Sequence, residues 1–118
     1  MKLKLVLWIL GRKLVKKAKK DSEFKKKVSE KNCTVQIKTA DNSLGRYYTF
    51  NNGAVTSNKG VATNPAVALV FKDAATGFSI LTSNDNAKRM EALQNGSLKL
   101  EGDAATALWF TDVAKHAR

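Results

Sequence analysis

Cys33 and His116 are the one cysteine and the one histidine of the chain, so nucleophilic or metal chemistry would have to begin with them. A thiol nucleophile needs an activating base within hydrogen-bonding reach. His116 stands two residues from the last residue, where a helix frays, and reads as a surface side chain. Cys33 opens an alternating segment and reads as a small buried hydrophobe. Glu101 and Asp103 flank Gly102 and could serve as a carboxylate pair, but Asp103 directly precedes an apolar helical run. Capping that helix is enough to explain it. There is no glycine-rich phosphate loop and no metal-ligand spacing. The sequence thus predicts no enzyme activity, no metal and no cofactor. A single cysteine forms no internal disulfide, which points to a reducing, cytoplasmic setting. In that setting the sequon Asn95-Gly96-Ser97 carries little weight.

The chain has 118 residues, a length suited to one domain that can bury a substantial core without disulfides. Its formal charge of +11 suggests a nucleic-acid binder until its distribution is read. Residues 1–31 hold twelve Lys/Arg against three Asp/Glu, whereas residues 32–118 hold nine against seven. The chain is a near-neutral domain, 32–118, preceded by a basic arm, 1–31.

The arm begins MKLKLVLWILGRKLVKKAKK. Its apolar run, Leu5–Leu10, is short for a signal peptide, lacks a small-residue cleavage site, and falls well below the ~20 residues of a membrane span. An amphipathic helix fits better: Leu3, Val6, Leu7, Leu10 and Leu14 share one face, and Phe24 and Val28 return in phase. Asp21 and Ser22 either interrupt this helix or cap a second one. Leu5, Trp8 and Ile9 fall off that stripe, among Lys4, Arg12, Lys16 and Lys19. A helix docked on its own domain explains the main stripe. The second patch, apolar residues amid cations, suits contact with an anionic membrane. Nucleic acid is disfavoured, because the arm lacks interleaved Arg and aromatic residues and the domain offers no basic face.

From Cys33 the period changes to two. CTVQIKT (33–39) reads as a half-buried strand, and RYYTF (46–50) as its neighbour. Asn51-Asn52-Gly53 predicts a tight hairpin leading to a short edge strand from Ala54. AVALVF (66–71) is continuously apolar, as expected of a central strand covered on both faces. Short helices are predicted over 73–83, capped by Asp73 and weakened by Gly77, and over 85–96. The second should turn Ala87, Met90, Ala92 and Leu93 inward and stop at Gly96. SLKLEG forms a last strand, followed by an apolar helix from Ala104 to about His116. The pattern is an α/β (α+β) domain with one mixed sheet and helices on it.

From residue 33 onward the chain resembles the sterol carrier protein type 2 family. The resemblance rests on GRYYTFNNGAVTSNKG, on the Asn-Pro before AVALVFKD, and above all on LQNGSLKLEGDAATALWF. It covers about 85 residues, and the basic helical arm is similar to that of short stand-alone bacterial members. It implies a five-stranded mixed sheet covered by helices, with an apolar tunnel between sheet and C-terminal helix for a fatty acyl, sterol or isoprenoid chain. In a bacterium a fatty acyl or quinone-type lipid suits better than a sterol.

On that reading Phe71, Phe78, Leu81, Met90, Leu93, Leu100, Leu108 and Trp109 are the candidate lipid contacts. Leu5, Trp8, Ile9, Arg12, Lys16 and Lys19 are the candidate membrane contacts. The same eight residues could instead close a dry core. The expected activity is non-catalytic lipid binding or transfer in the cytoplasm, peripheral to the inner membrane. The alternative is an interaction module of lipid or quinone metabolism, without a usable cavity and with a protein partner.

Overall fold

The computed structural model describes residues 2–82 and 86–117. The chain runs α1 (Lys2–Lys20), α2 (Ser22–Val28), β1 (Cys33–Thr39), β2 (Gly45–Asn51), β3 (Ala54–Lys59), β4 (Val67–Phe71), α3 (Ala74–Leu81), α4 (Asn86–Asn95), β5 (Leu98–Gly102) and α5 (Ala104–Ala117). The strands form one sheet in the order β3-β2-β1-β4-β5. β1 and β4 pair in parallel, and the other neighbours are antiparallel. The five-stranded mixed sheet is as expected.

Local chemistry sets the boundaries. Asp21 ends α1 and caps α2, its Oδ1 accepting from the backbone N–H groups of Glu23 and Phe24, so the arm is two helices. Asp73 caps α3 by accepting from Thr76 N–H, and Asp103 caps α5 through Ala105 N–H and the Thr106 hydroxyl. The hairpin between β2 and β3 turns on Asn52 and Gly53, with φ of 52° and 85°. Asn and Gly tolerate that left-handed conformation best. Gly96 ends α4 in the same way, at φ 82°. The expected ends of the α3 and α4 segments at Ser83 and Asp85 lie outside the described residues.

Alternation gives one sheet face to Val35, Ile37, Tyr48, Phe50, Val55, Val67, Phe71 and Leu98, all buried. α1 crosses this face over β2 and β3 and meets α3 and α5. Leu3, Leu7, Leu14 and Ala18 are buried, with Phe24 and Val28 of α2 continuing the layer. The Tyr48 hydroxyl donates to the Leu7 carbonyl at 2.7 Å, joining arm and sheet in the interior. Burial raises the Tyr48 phenol well above its usual value, so it remains a donor.

Two glycines record close approaches. A Cβ on Gly11 would stand 2.3 Å from the Ser57 hydroxyl, so the absence of a side chain lets α1 approach β3. One on Gly77 would meet Leu3 and Phe71 at 3.0 and 3.2 Å. The glycine that weakens α3 in sequence is therefore where α1 and β4 pack against it.

β4 is an inner strand, between β1 at the middle of the sheet and β5 at its edge, as its apolar run implied. Every β4 residue is buried, and part of the cover on its second face comes from a loop: Gln36, beside Ala68 in the register, accepts from Ala62 N–H. A departure from expectation lies in α4: Ala92 is buried and Leu93 packs partly on the core, whereas Ala87 and Met90 face outward. A helix lying at the margin of the sheet buries a narrower stripe than its alanines suggest.

Candidate functional site

α5 lies over β4, β1 and β5. Thr106, Ala107, Phe110 and Val113 point into the protein, and the alanine keeps the helix close. Phe110 stacks on Tyr48 with ring centroids 5.7 Å apart and meets Phe50 edge-on at 6.1 Å. Trp109 approaches Phe50 at 5.0 Å with ring planes 77° apart. These offset and edge geometries are the favourable ones for aromatic pairs. The indole Nε1 of Trp109 is buried and has no acceptor among the described residues. An unpartnered buried donor is uncommon and calls for a physical account.

The structure does not gather the eight candidate lipid contacts into one lining. Phe71 lies in the core, while Phe78, Leu81, Leu93 and Trp109 are partly buried against it. Met90, Leu100 and Leu108 are exposed, Leu108 by 72%. Leu100 faces the helix side beside Leu69 but sits on an edge strand, which leaves it half uncovered.

The six membrane-contact candidates lie on the side of α1 away from the sheet. Leu5, Trp8 and Ile9 are 55%, 44% and 37% exposed, unusual for residues this apolar among cations. Arg12, Lys16 and Lys19 are exposed beside them, and the Arg12 guanidinium lies 5.1 Å from the Trp8 ring centre. That distance suits a cation–π contact, and the indole is still 44% exposed. No helix among the described residues is long and apolar enough to cross a membrane.

The residues with chemical potential remain apart. Cys33 is half-buried, and desolvation pushes its thiol above the usual value, which disfavours the reactive thiolate. His116 is exposed at the far end of α5, where its ring contacts Asp112 and its carbonyl accepts from Lys17. Glu101 is exposed on β5, and Asp103 is occupied by its cap. No group of three metal-ligating side chains occurs among the described residues.

A cleft of about 380 Å³ opens where Lys4 and Leu7 of α1 meet the β1–β2 turn and the end of β3. Another, of about 360 Å³, lies between α3 and α4, lined by Thr76, Ser79, Lys88 and Glu91 among others. Sequence reasoning missed the first cleft because its residues come from three separate segments. Its one trace in the sequence is the hairpin signal at Asn52-Gly53, since the register that this turn imposes sets Arg46 opposite Lys59.

No family model and no curated sequence matches the chain. Solved structures do. The chain is similar to a UbiJ-SCP2 ubiquinone synthesis protein at TM-score 0.70 and 16% identity, covering 97% of this chain and 96% of the other. It matches the sterol carrier protein domain 2 of Helicoverpa armigera at TM-score 0.66 and 17% identity, over 99% and 88% of the two chains. Sterol carrier protein 2 of Yarrowia lipolytica, in its apo form, matches at TM-score 0.66 and 14% identity, over 92% and 89%. Five helices and a mixed five-strand sheet in this arrangement give the chain the fold of the sterol carrier protein type 2 domains.

Proposed function

We propose that the chain is a non-catalytic lipid-binding domain. It holds a long apolar molecule of the fatty acyl, isoprenoid or quinone type between the sheet and α5, and it meets anionic membrane through α1. The observation that carries this reading is α5 itself. Its inner face is packed, its outer face displays Leu108, and Trp109 keeps an unpartnered indole N–H in the interior. A helix apolar on opposite sides suits a partner that is not protein. A lipid with a carbonyl, carboxylate or quinone oxygen near Trp109 would satisfy the orphan donor.

Burying about ten methylenes yields roughly 8 kcal/mol, enough for stable binding without polar chemistry. Loading such a chain requires α5 to shift against Tyr48 and Phe50. The fold likeness to a ubiquinone synthesis protein makes a quinone precursor the first cargo to try. Native mass spectrometry of detergent-free protein, followed by extraction and lipid identification, tests the reading. A stoichiometric adduct of lipid mass supports it, and a clean apo mass after incubation with mixed-lipid vesicles refutes it. One observation favours the interaction module instead: Phe110 and Trp109 already touch the sheet directly, so the core closes without a ligand. That module would leave Leu5, Trp8 and Ile9 for a protein partner.

A further inference from the structure

Three cations meet at one end of the helical face, with no carboxylate paired to them among the described residues. Arg46 and Lys59 are partners across β2 and β3, so they share a sheet face, and Lys4 reaches them from the first turns of α1. Opposed like charges on neighbouring strands are destabilising. Among the described residues no ion pair engages any of the three; the lysine–carboxylate pair there joins Lys27 to Asp112. Asp41 belongs to the turn beside the cleft but is not part of its lining, and its Oδ1 is engaged within the turn. It accepts from the Ser43 backbone N–H, the Ser43 hydroxyl and the Thr39 hydroxyl at 3.0, 2.7 and 2.8 Å.

We propose that the cleft lined by Lys4, Arg46, Lys59, Asn42, Ser43 and Gly60 binds a phosphate group, with Arg46 and Lys59 as its principal donors. The Arg46 head is already oriented, because Nη1 donates to the Ser57 hydroxyl at 2.8 Å. Its remaining N–H groups suit the forked geometry of phosphate oxygens. α1 has no acidic residue in its first turn, so its positive end is uncompensated on the same side. The Lys4 ammonium is held below its usual value, first by close approach of the Lys59 ammonium and then by burial and by Arg46. A bound dianion relieves that repulsion. The phosphate can be the headgroup of a lipid or a soluble ion. Trp8 stands one turn from Lys4 on α1, so a helix laid on a membrane brings headgroups to the cleft. The site does not depend on a lipid cargo under α5.

The test uses the full chain and inorganic phosphate at constant ionic strength, read by amide chemical shifts. Saturable shifts at Gly45, Arg46, Lys59 and Gly60 are expected. The pair Arg46→Gln with Lys59→Gln should weaken binding by about tenfold or more through loss of charge-assisted hydrogen bonds. The pair Lys13→Gln with Lys20→Gln removes the same charge at a distance, from exposed positions of α1, and should weaken it by less than about twofold. Equal weakening by both pairs, or shifts spread along α1, overturns the proposal in favour of a general basic field. Matching thermal midpoints for the variants and the parent exclude unfolding as the cause.

Phosphatidylcholine vesicles doped with phosphatidic acid or with phosphatidylserine, at equal surface charge, identify the source. Preference for phosphatidic acid that the cleft pair abolishes assigns the site to a headgroup. Saturable phosphate binding without that preference assigns it to a soluble phosphate. Absence of both overturns the site.

Discussion

Replacing Trp8 and Ile9 with serine separates the proposed membrane surface of α1 from its packing surface. Trp8 leaves 44% of its surface uncovered. For an aromatic side chain presenting up to about 250 Å², that leaves about 110 Å² of mostly apolar area, or about 2.5 kcal/mol at ~25 cal/mol per Å². Ile9 is 37% exposed, and the same fraction of a full aliphatic burial adds about 1 kcal/mol. The double variant should therefore lose about 3.5 kcal/mol of partitioning, a drop of roughly 300-fold on anionic vesicles. Co-sedimentation is the suitable assay, because the substitution removes one of the two tryptophans on which a fluorescence readout would rest. Folding should be untouched, since neither side chain belongs to the buried stripe. Raising the salt should weaken the parent only in part, as the apolar contribution is not screened. Unchanged vesicle binding by the double variant, at an unchanged melting temperature, would rule out an apolar membrane contact through Trp8 and Ile9. It would leave the arm's attraction purely electrostatic.

Phe110→Ala removes a ring that is 2% exposed and touches both Tyr48 and Phe50. It should cost about 3–5 kcal/mol, measured by urea unfolding. Gly102 sits at φ 112° with the Ala66 carbonyl oxygen 2.4 Å from where a Cβ would be. Gly102→Ala should therefore destabilise by at least about 1–3 kcal/mol, with the loss read in the same unfolding curves. Tyr48→Phe deletes one buried hydrogen bond and should cost about 0.5–1.5 kcal/mol. Acid stability follows from the capping and turn carboxylates and from Asp112, which pairs with Lys27. The Asp41 pKa is lowered to about 2, first by the Ser43 hydroxyl, and those of Asp73, Asp103 and Asp112 are lowered too. An unfolded aspartate titrates near ~3.9, so their contribution is whole above that value. It is lost as pH falls through the folded values, and the thermal midpoint should drop between about pH 4 and about pH 2. Asp41→Asn should flatten that drop.

Periodicity and capping chemistry made most of the architecture legible. Cys33–Thr39 alternates, Asn52-Gly53 demands a tight turn, and Asp21, Asp73 and Asp103 each precede a helix that they cap. These are local rules, and residues close in sequence satisfy them. What depended on distant partners was harder to read. Met90 lies on an amphipathic pattern but faces outward, because helix placement at the sheet margin is a tertiary matter. Gly77 looks like a weak point until α1 is laid on α3, and the close approach at Gly11 shows only once α1 is laid on β3. Arg46 and Lys59 are ordinary surface cations until the hairpin register sets them side by side and α1 adds Lys4. The eight apolar candidates were recognisable as a set, yet only placement in space separates Phe71 in the core from Leu108 on the surface.

The contact between the Leu7 carbonyl and the Tyr48 hydroxyl spans 41 residues. α1 is synthesised before the strands that bury its stripe, since β2 and β3 end only at Lys59. At about 5–20 residues per second, a ribosome needs roughly 2–8 s to produce the intervening chain. During that interval Leu3, Leu7 and Leu14 have no sheet to cover them, and a basic amphipathic segment is presented whole. A nascent chain in this state would meet the cell's anionic surfaces before its own fold exists. Hairpin closure over α1 would then be the step that trades one neighbour for another.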